Sequence, residues 1–116
     1  MPTLDMTGPF TLTNASINAQ VTRATYGNYA LGYVKNGDFY VQYVGRSDSN
    51  VHGRLKQHVG SYRHFMFSYA TSPRAAFLTE CRNFHDFGET EGLDNEIHPR
   101  RPDDTSWKCP VCDIFN

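Results

Sequence analysis

Two groups of side chains in this 116-residue chain have the types and spacing for chemistry. The first is built from thiol and imidazole. Cys81 and His85 stand four apart in a stretch of helical periodicity, and Cys109-Pro110-Val111-Cys112 adds two thiols near the C-terminus. Residues at i and i+4 project from adjacent turns of one helix face, so Cys81 and His85 can meet one ion without bending the helix. A C-x₂-C loop folded back onto them completes a tetrahedral Cys₃His set with no open position, as structural zinc requires. His98 competes with His85 for the imidazole place, and three unrelated buried thiols are the plain alternative. Thiolate and imidazole favour Zn²⁺ over Mg²⁺, so this site expects about one zinc per chain.

The second group centres on Glu80. At about 100° per residue, Ala76, Phe77, Phe84 and Phe87 define the buried arc of the same helix, and Glu80 falls inside it. An unpaired buried carboxylate is costly, so this one needs a cation or strong donors. A Mg²⁺ ion held by the carboxylate, waters and a substrate phosphate would meet that need. Pairing with a nearby arginine is the alternative. Arg54 suits a phosphate, because its planar fork donates two parallel hydrogen bonds and keeps its charge. Its ordinary reading is a surface arginine. His58 lies four residues on from Arg54, so both can reach one point.

These residues need elements to hold them. Tyrosine, valine and phenylalanine alternate on both sides of Asn36-Gly37, the strongest short-range hairpin signal. Ser47-Asp48-Ser49-Asn50 offers caps for a helix to about His58, with Val51, Leu55 and Val59 as its apolar stripe and Gly60 as its stop. His64 to Tyr69 reads as a third strand. Thr71 or Ser72 then caps a helix with Pro73 at its first position, running to about Phe87 before Gly88. The order β-β-α-β-α predicts a small α+β domain, a three-stranded, largely antiparallel sheet packed with helices. Residues 1–24 read as an N-terminal extension, a strand or a short helix capped by Thr13 or Asn14, residues 25–95 as the domain proper, and residues 96–116 as an irregular C-terminal tail on that domain.

Gly27 to His58 resembles the GIY-YIG nuclease family. Gly27-Asn28-Tyr29 stands for the first motif and Tyr43-Val44-Gly45 for the second, while Arg54 matches the family's helix arginine and Glu80 its downstream glutamate. The resemblance spans roughly residues 27 to 95. Asn28 replaces the isoleucine of the first motif, and the thirteen residues from Ala30 to Gln42 make a longer gap between the tyrosines than usual. It implies a metal-dependent endonuclease that hydrolyses DNA phosphodiesters, with Tyr29 as general base and Tyr43 positioning water or phosphate. Glu80 would bind Mg²⁺ or Mn²⁺, and His58 would relay the proton. Asn95 would help order the site, although an ordinary turn asparagine is an equally good reading. A phenol with a pKa near 10 needs a neighbouring cation to serve as base. The rival from another class is a non-catalytic zinc-braced module that binds nucleic acid or protein.

If both tyrosines serve one site, the hairpin register is constrained. A two-residue Asn36-Gly37 turn pairs Lys35 with Asp38 and Ala30 with Tyr43, which sends the two tyrosines to opposite faces. A three-residue loop, or a bulge, restores them to one face.

Charge narrows the partner. A net charge of −1 argues against a strongly basic binder, but residues 49–79 hold Arg54, Lys56, Arg63, Arg74 and three histidines with no acid. One basic surface on a neutral chain suits phosphate contacts with DNA. No apolar run nears the ~20 residues that span a membrane, and the N-terminus lacks a signal-peptide plan, so cytoplasmic residence with reduced thiols is the expectation. A domain this small leaves targeting to a homodimer or another partner.

Overall fold

Asn36 and Gly37 both take positive φ, 54° and 84°, and close a two-residue turn with Lys35 opposite Asp38. Gly37 does so at no steric cost, and the turn's twist matches that of the strands it joins. The computed structural model describes residues 4–115, and in it this turn links β2 (Gly27–Lys35) to β3 (Asp38–Ser47). Pairing stays in step through Tyr33 with Tyr40 and Gly32 with Val41, and then Leu31 faces Tyr43. Gln42 is therefore an extra residue, a β-bulge. Its effect is a change of phase. Phe39 and Val41 pack with Ala30 on one face, and beyond the bulge Val44 takes over that face. Tyr43 turns to the opposite face, beside Leu31 and Tyr29. Of the two devices expected to align the tyrosines, the structure uses the bulge and keeps the short turn.

β4 (His64–Tyr69) pairs antiparallel with β2, placing Phe65 opposite Leu31 and Phe67 opposite Tyr29. β1 (Thr7–Thr11) lies outside β4, so the sheet is four-stranded and antiparallel in the order β1-β4-β2-β3. The sequence pattern predicts three strands. Gly8-Pro9 conceals the fourth by breaking its alternation, and proline, lacking an N–H, fits a strand only at an edge such as this one.

Helices cover both faces. On the Tyr29 face lie α1 (Asn14–Gln20), capped by the Thr13 side chain on Ser16 N, and α2 (Val51–Lys56), capped by Asn50 on Gly53 N. Their Ile17, Val51 and Leu55 are fully buried against Tyr29, Leu31 and Phe65, each contributing about 1.5–3 kcal/mol. α2 ends at Lys56, short of His58, because the next amides tighten onto carbonyls three residues back. Leu12 and Val21 join the same cluster, so residues 4–24 supply a strand, a helix and part of the core. On the other face lies α3 (Pro73–Asp86), capped by Ser72, with Phe84 against Ala30 and Val44. A further turn of helix, α4 (Glu89–Gly92), follows Gly88 in a stretch expected to be irregular.

Residues 96–115 carry no helix or strand. They are held on α3 by Trp107 and Phe115, whose rings lie 6.2 and 5.9 Å from that of Phe77. No helix among the described residues is long and apolar enough to cross a membrane.

Candidate active site and metal centre

Tyr29 is 2% exposed on the central strand β2, and its ring stacks on that of Tyr43 at 6.4 Å and 19°. Gly45, paired with Tyr29, makes this possible. A Cβ there would overlap the phenol ring and its hydroxyl, so only glycine lets the ring lie across β3. His58, just past α2, packs 5.3 and 5.4 Å from the two rings, and its Nε2 lies 2.9 Å from Tyr29 Oη. Burial, then Arg54, holds His58 below its ordinary pKa, so the ring is neutral and its Nε2 can accept the phenolic proton. Burial, then Tyr43, pushes the Tyr29 phenol well above its ordinary range, and Arg54 only partly offsets this. Tyr43 is raised by burial and then Glu80.

Across the cavity stands Glu80, 8% exposed on α3, as its helical position predicts. Its Oε1 accepts from Arg46 Nη1. Arg46 Nε donates to Asp48 Oδ1 at 2.9 Å, Nη2 donates to the Arg100 carbonyl at 2.6 Å, and the guanidinium lies 5.1 Å over Phe77. Burial raises the Glu80 carboxyl while Arg46 opposes the shift. Tyr29, Tyr43, Arg54, Glu80 and Asn95 share one cavity of about 340 Å³ with Arg46, Asp48 and the tail segment Ile97 to Arg100. Arg54 is exposed, and among the described residues no ion pair or hydrogen bond engages its guanidinium. The cavity thus holds a committed arginine, Arg46, and an uncommitted one.

Asn95 has a definite task. Its side-chain amide accepts from Val44 N at 3.0 Å and donates to Val44 O at 2.8 Å, and Asp94 N bonds Gln42 O at 2.6 Å. The pair stands in for a fifth strand where the edge strand β3 bulges.

The thiol and imidazole residues gather as His85, His98, Cys109 and Cys112, whose ligand atoms all lie within 4.8 Å of one another. The set differs from the expected one in a single member. Both histidines belong to it, and Cys81 does not. Cys81 is fully buried with Phe77 and Cys109 in the packing between α3 and the tail, where burial, then Cys109, raises its thiol far above the ordinary value. Helical spacing brought Cys81 near the cluster, but the tail supplies His98 in its place. The two histidine Nε2 atoms face each other at 3.3 Å, and Cys112 Sγ lies 3.4 Å from His98 Nε2. Each Nδ1 has its own partner, Glu89 Oε2 at 2.5 Å for His85 and the Pro99 carbonyl at 2.9 Å for His98. Protons held at Nδ1 leave two Nε2 lone pairs pointing together, which is unfavourable unless a cation lies between them. A tetrahedron with bonds near 2.05 Å has nitrogen–nitrogen edges of about 3.3 Å, so the spacing fits a metal of that size. Val111 N donates to Cys109 Sγ at 3.4 Å. Backbone donation from Val111 and Cys112, against the opposing effect of burial, brings the Cys109 thiol down to about 6, where it is ready to ligate. These residues can hold a metal such as zinc.

Arg46 is the residue that sequence reasoning missed. Half the signal was present, since a buried Glu80 required a cation, but the phase that puts Arg46 on the Val44 face depends on the bulge. No family model, curated protein or solved structure matches this chain.

Proposed function

We propose that this protein is a divalent-metal-dependent endonuclease of the GIY-YIG type that hydrolyses DNA phosphodiester bonds. The observation that carries the reading is one cavity lined by two stacked tyrosines, an unengaged arginine and a buried carboxylate. Arg54 grips non-bridging phosphate oxygens through parallel N–H donors. Tyr29 takes a proton from the attacking water while its own proton passes to neutral His58 Nε2, so no free phenolate has to form. That relay answers the raised phenol pKa. Tyr43 orients the water or the phosphate. Water oxygen bonds to phosphorus, the bond to the leaving sugar oxygen breaks, and that oxygen takes a proton from solvent.

A single buried carboxylate opening on a wet cavity fits Mg²⁺ or Mn²⁺, which keep most of their waters. Glu80 would hold the ion through the oxygen that Arg46 leaves free, and when bound it would stabilise negative charge on the phosphate. The His85, His98, Cys109 and Cys112 cluster we assign to structural zinc. Glu80's engagement with Arg46 favours the second reading, a DNA-binding module without catalysis.

The two separate in one experiment. Purified protein is incubated with plasmid and branched DNA, with and without Mg²⁺, beside Glu80→Ala and Tyr29→Phe. The nuclease reading expects Mg²⁺-dependent cleavage that both variants lose while DNA retention in a gel persists. DNA retention with no cleavage under Mg²⁺ or Mn²⁺ establishes the module instead.

A further inference from the structure

His98 belongs to two places at once. It presents Nε2 to the metal cluster and it lines the cavity. Two residues on, the Arg100 carbonyl accepts the 2.6 Å bond from Arg46. The other partners of Arg46 come from firmer ground: Glu80 and Phe77 from α3, and Asp48 just beyond β3. The tail has no backbone ladder to fix where Arg100 sits, so its side chains must do so. Aromatic contacts hold residues 107 and 115 on Phe77, and His98 ties the cavity segment to α3, edge-on to Phe84 at 5.3 Å and with its Nε2 3.3 Å from that of His85.

We propose that metal bound by His85, His98, Cys109 and Cys112 fixes residues 97–100 as a wall of the cavity, and that Arg46, held by the Arg100 carbonyl, is the positioning residue through which this wall sets the Glu80 carboxylate. The guanidinium is a planar fork whose donors cannot be re-aimed one at a time. If the Arg100 carbonyl moves, Nη2 loses its acceptor, the fork turns, and the bonds to Glu80 and Asp48 turn with it. The cavity's purpose rests on the nuclease reading, whereas the coupling stands on these bonds. Coupling between two sites is reciprocal, so the grip of Arg46 on the tail must also favour metal binding.

Both directions can be measured with zinc as the probe. In ¹⁵N-labelled protein loaded with one equivalent of zinc, the Arg46 Nε–H signal, identified by its loss in Arg46→Lys, should be sharp and slow to exchange. Chelation, or Cys112→Ser, should make it exchange at least about 10-fold faster while β2 and β4 amides keep their protection. In the reverse direction, Arg46→Lys should weaken zinc retention in a chelator competition by about 10-fold, although Arg46 is no ligand and lysine keeps the charge. Arg54→Lys, in the same cavity without a bond to the tail, should leave zinc retention unchanged. Should the sheet melt on chelation, the competition alone decides. An unaltered zinc affinity in Arg46→Lys, or an Arg46 signal indifferent to zinc in a folded sheet, overturns the proposal. Neither measurement uses DNA or Mg²⁺, so the coupling can fail with the nuclease reading intact, and a chain that cleaves nothing can still show it.

Discussion

Tyr29 and Tyr43 stand on paired strands whose register, bulge and glycine together determine where the rings lie. Glu80 and Arg46, across the same cavity, meet a tail with no helix or strand, packed on α3 by two aromatic rings and by a His–Cys cluster that could hold a metal. The sheet wall is positioned by backbone pairing, which is short-range, cooperative and insensitive to the solvent's metal content. The tail wall is positioned by side chains brought from residues 98, 109 and 112 to α3, and on the proposed zinc site it would answer to chelators, oxidants and pH. One site with two such walls can lose its electrostatic half while its aromatic half stays folded.

The largest effect should come from the buried pair. Glu80→Ala leaves the buried Arg46 with only the exposed Asp48 as counter-charge and should cost about 3 kcal/mol in denaturant unfolding, along with loss of at least about 10²-fold in Mg²⁺-dependent cleavage. Joining Glu80→Leu to Arg46→Met should restore most of the stability and none of the cleavage. If the double variant is as unstable as the single one, the pair is not the organising contact of that wall.

Zinc removal comes next and should divide the molecule along the comparison. Stripping the metal, or Cys109→Ser, should lower stability by about 3 kcal/mol, the linkage expected for a site saturated a hundredfold above its Kd. Hydrogen exchange should speed in residues 96–115 and hold in β2 and β4. Metal-free protein with Cys109 and Cys112 reactive and an unchanged melting temperature would remove zinc from the account.

On the sheet side, Gly45→Ala forces a methyl into the Tyr29 ring and should cost about 1–3 kcal/mol, with the zinc content untouched. A fully stable variant would show that the ring can move aside and that the stack is looser than its geometry suggests.

The smallest effect is a pH dependence. His58 is held below its ordinary value of about 6.5, so between that value and its folded one the unfolded chain binds more protons. Stability from this group is therefore complete above about pH 6.5 and is lost as pH falls through that interval. His58→Gln should flatten that part of the stability profile. An identical slope in wild type and variant would assign the acid sensitivity elsewhere.

Much of this was legible beforehand, and the gaps have physical causes. Helix caps at Thr13, Asn50 and Ser72 act locally, so Asn14–Gln20, Val51–Lys56 and Pro73–Asp86 begin where their side chains dictate. Glu80 was visible because helical phase converts directly into burial. β1 was hidden because its pairing with β4 is long-range and its proline imitates a loop. The i, i+4 spacing that pairs Cys81 with His85 can be read from sequence, whereas the path of the irregular tail, which adds His98 beside His85 and leaves Cys81 out, cannot. Arg46 escaped for a related reason: the phase of β3 changes at Gln42, and nothing in a run of tyrosine, valine and glutamine marks which residue is extra.

That extra residue imposes a parity rule on the hairpin's length. Removing Gln42 itself would delete the bulge and keep the present pairing, with Tyr43 still opposite Leu31 and Val44 opposite Ala30, whereas removing any other single residue between the tyrosines while the bulge stays would send Tyr43 to the α3 face. Removing two residues near the tip, one from each strand beside the turn, shortens the hairpin and leaves every side chain beyond the bulge on its present face. With the bulge in place, insertions and deletions in this hairpin should therefore be tolerated by pairs and rejected singly. The distance between the two tyrosines can drift among relatives by even steps, and an odd step would have to be matched by the gain or loss of a bulge.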